Sequence, residues 1–382
     1  MASRIVATAI LVAISAFGYF SILGLTARNG WGDKFNAYTA REIAVLPDTD
    51  IPARTHFTGV AGLDYVLAQL VKFFYPCVTG QLPALPLFSI YFAGQAIALH
   101  SILMLEGLRK GNKGTIFFYP VIWGTLYQLI PFGITIPIYC ALYIWLSPLA
   151  KQPAGQNKVD LLSMDSIKLY ATLPAIVLGL VVPTILPALP APRIISIDQQ
   201  QIFLALWQIF PAMVGVWHQV FTVVVRKLGL AKPASSPAAS LGDAKEIYSQ
   251  TIYLAQVIHI SVIAFAFVPE AVKTIFKVAD VSSINWQTVF VPMSVVSPRQ
   301  VGSMAEGALT LLQYDFYSGC AGLFFLVTYL SGSAYGVSAA ATTVFKVLLK
   351  SVLVGPGAAL LWEFWDRDKV ALAEVGEEKK TQ

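Results

Sequence analysis

Apolar residues fill long stretches of this chain, and polar ones gather between them. One stretch, 306–331, reads EGALTLLQYDFYSGCAGLFFLVTYLS and is long enough to cross a bilayer as a helix. Further apolar runs cover 5–25, 83–108, 114–150, 170–189, 199–225, 248–268 and 340–362. The first is long for a signal segment and reads as an uncleaved span. The run 114–150 holds no charge, and Pro131 and Pro137 are expected to kink or break it. Within 63–80, Val66, Leu67, Leu70, Phe73 and Phe74 form a stripe at helical spacing beside Asp64, Gln69 and Lys72; it reads either as a polar-lined span or as an interfacial helix.

The pattern predicts an all-α, polytopic membrane bundle of about eight to nine transmembrane helices in one domain, 1–382. Three stretches fall outside it: an extended loop over 27–62, a flexible loop over 231–247 rich in Pro, Ser and Ala, and a solvated tail over 367–382 that Glu374, Glu377 and Glu378 make acidic. An amphipathic linker with Glu270, Trp286 and Arg299 precedes 306–331. The run from Trp362 to Asp368, WEFWDRD, reads as an aromatic and charged interface belt. The segment from Glu106 to Asn112 reads as a helix end passing into a tight polar turn.

Composition supports the membrane reading. Hydrophobic residues make up 56% and charged residues 12%, about half the roughly 25% charge of a soluble domain. The net charge of +5 comes from basic residues beside apolar runs, which suits interface anchors and gives no nucleic-acid surface. The 3 cysteines show no pairing pattern, and no Gly-rich phosphate loop, His-Glu-x-x-His or Cys/His cluster appears.

Asp315 changes the picture most. It lies nine residues past Glu306, about 14 Å along a helix, near the bilayer midplane. A charge there costs on the order of 3 kcal/mol, so a buried membrane acid is a functional candidate by default. The plainer alternative is a structural Asp bonded to a neighbouring helix. Ala308, Asp315, Ser318, Gly319 and Gly322 share one helical face; small residues there let a helix approach or leave room for a ligand. Gln313, Tyr314, Phe316 and Tyr317 surround the acid, and aromatic rings stabilise cations. A dry, protonated acid among aromatics is suited to starting a carbocation reaction, and a proton relay in a transporter would use similar parts.

Glu106, three residues before Arg109, is the second candidate acid; the alternative is a surface ion pair. Asp64 carries the same pair of readings. His218 and His259 lie in apolar runs, each either a satisfied structural residue or the acceptor of a final proton. Trp207 and the other aromatics are core, interface anchors or pocket walls. No aspartate-rich run is present to hold magnesium for diphosphate ionisation, so terpene chemistry in this chain would begin with a proton.

The stretches Leu63-Asp-Tyr-Val-Leu-Ala-Gln-Leu-Val-Lys-Phe-Phe74, Leu87-Phe-Ser-Ile-Tyr-Phe-Ala-Gly-Gln95, Glu106-Gly-Leu-Arg-Lys-Gly-Asn112 and Gln313-Tyr-Asp315 resemble fungal integral membrane terpene cyclases of the ascochlorin/ascofuranone type. The resemblance runs over most of the chain and is strongest over 63–146. It implies a multi-pass enzyme of secondary metabolism in the endoplasmic reticulum membrane. Such an enzyme protonates the terminal epoxide or olefin of a farnesylated aromatic or quinol, giving monocyclic or drimane-like bicyclic meroterpenoids. It works without a metal or other cofactor, on a lipophilic prenylated aromatic within membrane lipid, beside a prenyltransferase and an epoxidase as pathway partners. The resemblance does not assign the acid; the burial argument makes Asp315 the proton donor, and Glu106 assists or substitutes. Tyr314, Tyr317, Gln313, Trp207, His218 and Asp64 bind substrate. The competing functions are a proton-coupled transporter or exporter of a lipophilic metabolite, and a non-catalytic receptor or scaffold.

Overall fold

The computed structural model describes residues 2–39, 44–151, 156–268 and 284–381. Glu270, assigned above to the linker, and the side chains of Glu377 and Glu378 lie outside what is described. Helices make up the described chain, whose one strand-like feature is an isolated bridge between Val45 and Pro52.

α1 (Ala2–Tyr19) continues through a wider turn at Phe20–Gly24 to Arg28. α2 (Trp31–Thr39) lies inside the expected loop over 27–62 and correction is needed there: Trp31 stacks on Phe35 and its indole Nε1 donates to the Met304 carbonyl at 3.0 Å. α3 (Ala61–Val78) takes up the stripe at helical spacing, and α4 (Ala84–Leu108) follows. The tight polar turn expected after Glu106 is present as a 3₁₀ turn at Lys110–Asn112. The uncharged run breaks at Pro131, which has no N–H to donate and is not itself helical, giving α5 (Pro120–Leu129) and α6 (Phe132–Leu146). α7 (Ser166–Ile176) continues to Ala188.

α8 (Ile197–Trp207) and α9 (Phe210–Lys227) meet at a bend of 71°. The expected flexible loop over 231–247 contains α10 (Pro237–Asp243), whose first turn Ser236 caps, and α11 (Lys245–Phe267) begins inside it. α12 (Trp286–Phe290) is followed by α13 (Met304–Tyr335), the longest helix. The expected span over 340–362 is divided into α14 (Val337–Val354) and α15 (Pro356–Thr381) at Gly355, whose φ of 86° suits a residue without Cβ.

Among the described residues, five helices are long and apolar enough to cross a membrane: Ser3–Arg28, Ala84–Leu108, Ser166–Ala188, Pro237–Phe267 and Val337–Val354; the bent pair α8–α9 makes a sixth if it is one span. Length and composition alone thus pick out fewer helices than the eight to nine expected. The difference has a physical source. α6 has only 15 residues, and α13 carries buried Thr310, Gln313, Asp315 and Ser318, which lower its hydropathy. α13 is central, packing against α1, α4, α6, α14 and α15. The expected solvated tail also needs correction. Arg367 and Asp368 are turned inward on α15, and Ala371 is fully buried, because their charges have partners on α4.

Candidate functional site

The face of α13 carrying Ala308, Asp315, Ser318, Gly319 and Gly322 is buried, and its small residues serve helix approach. A Cβ at Gly319 would fall on the Phe132 ring, and one at Gly322 would come within 2.9 Å of Pro137. Asp315 keeps 8% exposure. Its Oδ1 accepts the Gly133 N–H at 2.7 Å, inside the first turn of α6.

The neighbouring residues divide by face. Phe316 is fully buried against Phe88, Tyr91 and Phe92 of α4. Gln313 donates to the Val289 carbonyl at 2.8 Å, Tyr314 to that of Met293 at 2.8 Å, and Tyr317 to that of Phe290 at 2.7 Å. These three predicted substrate contacts therefore tie α12 and the chain after it to α13. Tyr314, Tyr317 and Ser318 also line a nearly wholly apolar cleft of about 490 Å³ against α1; Asp315 is not among its lining residues.

Glu106 lies elsewhere. Its Oε2 accepts from Tyr143 Oη at 2.5 Å and its Oε1 from Arg367 at 2.6 Å, with Arg109 Nε at 3.5 Å. Arg109, fully buried, donates to Asp368 at 2.6 Å, to the Tyr248 hydroxyl at 2.7 Å and to the Leu162 carbonyl at 2.7 Å. Two carboxylates and two guanidinium groups thus neutralise one another in a dry junction of α4, α6, α11 and α15. Tyr143 and Gly133 stand ten residues apart on α6, about 15 Å, so the two candidate acids occupy opposite ends of that helix and do not meet. Arg367 also lines a second cleft, of about 450 Å³, between α13, α14 and α15.

The other candidates sit apart from Asp315. Trp207 donates to Thr184 at 2.9 Å at the α8–α9 bend. His218 Nε2 lies 3.0 Å from the Lys168 carbonyl, and His259 Nε2 lies 3.0 Å from that of Val352. Asp64 accepts from the Thr58 hydroxyl and from the N–H groups of Thr58, Phe57 and Gly59. Among the described residues no group of His, Cys, Asp and Glu is arranged to hold a metal ion.

Arg367, Asp368, Tyr143 and Tyr248 were not singled out from sequence. The available signal was position: Arg367 and Asp368 directly follow an apolar run, where a charge can still be drawn inward to an opposite partner.

A family profile described as "CtvD domain" matches residues 6–372. The chain belongs to that family. Among curated CtvD-like relatives, terpene cyclase ascI of Acremonium egyptiacum is 27% identical over 374 residues, covering 94% of this chain and 91% of that protein. Terpene cyclase ctvD of Aspergillus terreus is 28% identical over 367 residues, covering 94% and 98%. Terpene cyclase penA of Penicillium crustosum is 25% identical over 311 residues, covering 80% and 79%. No solved structure matches the chain.

Proposed function

We propose that this CtvD-family chain is a membrane terpene cyclase. It protonates the terminal epoxide or olefin of a farnesylated aromatic or quinol and closes the chain to a monocyclic or drimane-like product, an isomerisation. The observation that carries the reading is the match to relatives named terpene cyclases over nearly the whole chain. Endoplasmic reticulum membrane as the location, and a prenyltransferase and an epoxidase as partners in the pathway, belong to the same proposal.

Asp315 is the proposed proton donor. Two features support it over Glu106. Both Glu106 oxygens are engaged, one by Arg367 and one by Tyr143, which suits a structural ion pair. Asp315 engages Oδ1 alone, and the Gly133 N–H with the N-terminus of α6 stabilises the carboxylate that remains after the proton leaves. The chemistry then needs a folded isoprenoid chain, exclusion of water and rings to stabilise moving positive charge.

The test is expression in a host lacking the pathway, fed farnesyl-phenol and its terminal epoxide. A cyclised isomer of unchanged mass is expected from at least one. Uptake or export of unchanged substrate with no isomer from either would favour a transporter and overturn the cyclase reading.

A further inference from the structure

The charges around the cleft of about 450 Å³ between α13, α14 and α15 do not balance. Five charged side chains line it: Lys158, Lys346, Glu363, Asp366 and Arg367. Four are answered within the protein. Lys350 reaches Glu363 at 2.5 Å and Asp366 at 2.7 Å, and Lys369 adds a second contact to Asp366 at 3.1 Å. Arg367 is neutralised in the Glu106 cluster, and Lys158 has the Glu374 carboxylate near it. Lys346 is left over. Among the described residues it makes no hydrogen bond and no ion pair.

Its position makes that unusual. Lys346 lies nine residues into α14, about 14 Å along the axis, on a helix long and apolar enough to cross a membrane. A cation so placed takes an opposite charge or stretches toward the polar surface. A helical side chain leans toward the N-terminus of its helix. One and two turns back on that face stand Thr342 and Ser338, both on the cleft wall.

The surroundings give the chemistry of the missing partner. The cleft lies at one end of the bundle: Leu149 and Ala150 follow the end of α6, and Tyr335 ends α13. In a bilayer that end stands at headgroup level. Val327, Leu330 and Phe364 give the cleft an apolar side, and next to it α14 exposes Val337, Phe345, Leu348 and Leu349. A ligand that fits both features carries one net negative charge on a head and apolar chains behind it. Basic pockets between membrane helices hold anionic lipid headgroups in this way.

We propose that this cleft binds a singly anionic phospholipid, its phosphate paired with Lys346 and its acyl chains laid along the exposed face of α14. The site is separate from Asp315 and does not depend on the cyclase reading.

The test uses the full chain in phosphatidylcholine nanodiscs with a minor share of phosphatidylserine, analysed by native mass spectrometry. One phosphatidylserine should stay bound per chain, well above its share of the bilayer. Lys346→Gln should cut that retention about fivefold, the effect of one lysine, and Lys346→Arg should keep it. Lys113→Gln, at an exposed lysine outside the cleft, should change nothing. Thr342→Trp fills the cleft while keeping the charge, and should also lose the lipid. Lys346 is exposed and unpaired, so its replacement removes no contact on which folding depends. Phosphatidylserine added in detergent should raise the thermal midpoint of the unaltered chain and not that of Lys346→Gln. Retention that matches bulk composition, or that survives in Lys346→Gln, overturns the proposal. Equal stabilisation by inorganic phosphate alone does so too, because the ligand is then a free anion. Neither readout needs turnover, so this site and the cyclase reading stand or fall separately.

Discussion

Asp315 on α13 caps the first turn of α6 by accepting the Gly133 N–H at 2.7 Å. The residue at the N-cap of α6, Pro131, has no side-chain acceptor to offer. An unsatisfied N–H in a bilayer costs several kcal/mol, so a carboxyl from another helix fills the role. The acid proposed for chemistry is therefore also a structural fastener.

Asp315→Asn separates those two roles. The amide oxygen still accepts from Gly133, but no carboxyl proton remains to give. The variant should reach the membrane in normal amounts while cyclised product falls by at least about 100-fold, the lower range for losing a general acid. Quantifying product per folded protein checks it, and near-normal turnover would remove Asp315 from the mechanism. Asp315→Leu should lose folded protein as well.

Gly133 should tolerate little. A Cβ there would lie 2.8 Å from the Asp315 carbonyl oxygen and 2.8 Å from the Ser318 Cβ, and neither is the free end of a flexible side chain. Gly133→Ala should push α6 off α13 and destabilise by about 1–3 kcal/mol. At Gly62, in the first turn of α3, a Cβ would meet nothing within 4 Å. Gly62→Ala should be neutral or stabilising, by up to about 1 kcal/mol. Thermal unfolding of the two variants in one detergent compares them directly; equal midpoints would mean the helix contact is looser than described.

The parts of this arrangement that sequence disclosed are local ones. Proline at 131 separates α5 from α6, whereas Pro137 sits inside α6 without ending it, and Ala308, Ser318, Gly319 and Gly322 mark a close-packed face by their size. The polar turn after Glu106 was equally legible. What escaped is long-range. Arg367 and Asp368, near the end of an increasingly charged run, look solvated until α15 folds back onto Glu106, 261 residues earlier in the chain. The hydroxyls of Tyr314 and Tyr317 look free until α12 and the segment after it are laid over them. Hydropathy alone under-reads α13, which buries its polar residues in protein contacts.

The Glu106 cluster makes a prediction about charge balance. With Glu106→Gln, Arg109 and Arg367 retain only Asp368, and the junction carries an uncompensated buried positive charge. Losing one partner of a buried pair costs about 3–5 kcal/mol, whereas replacing both by apolar groups of similar size is far milder. Glu106→Gln and Arg367→Met should each lower the thermal midpoint sharply, and the double variant should be more stable than either. A double variant that merely adds the two losses would mean the side chains act independently, against the 2.6 Å contact.

Asp64 gives a prediction in pH. It lies in the first turn of α3, outside the five apolar spans. The Thr58 hydroxyl, the Thr58 N–H and then those of Phe57 and Gly59 hold its carboxyl down at about 2 from an ordinary 3.8, against the opposing effect of burial. Protons therefore bind the unfolded loop more readily than the folded one. The contribution of Asp64 is complete above about pH 4 and is lost as pH falls from there through 2. Backbone amides of Phe57, Thr58 and Gly59 should stay protected at about pH 5 and lose protection by about pH 2, after correction for intrinsic exchange. In Asp64→Asn the carboxylate is gone at every pH, so protection should be low and flat. Equal, pH-independent protection in both proteins would mean that the loop is held by something other than this carboxylate.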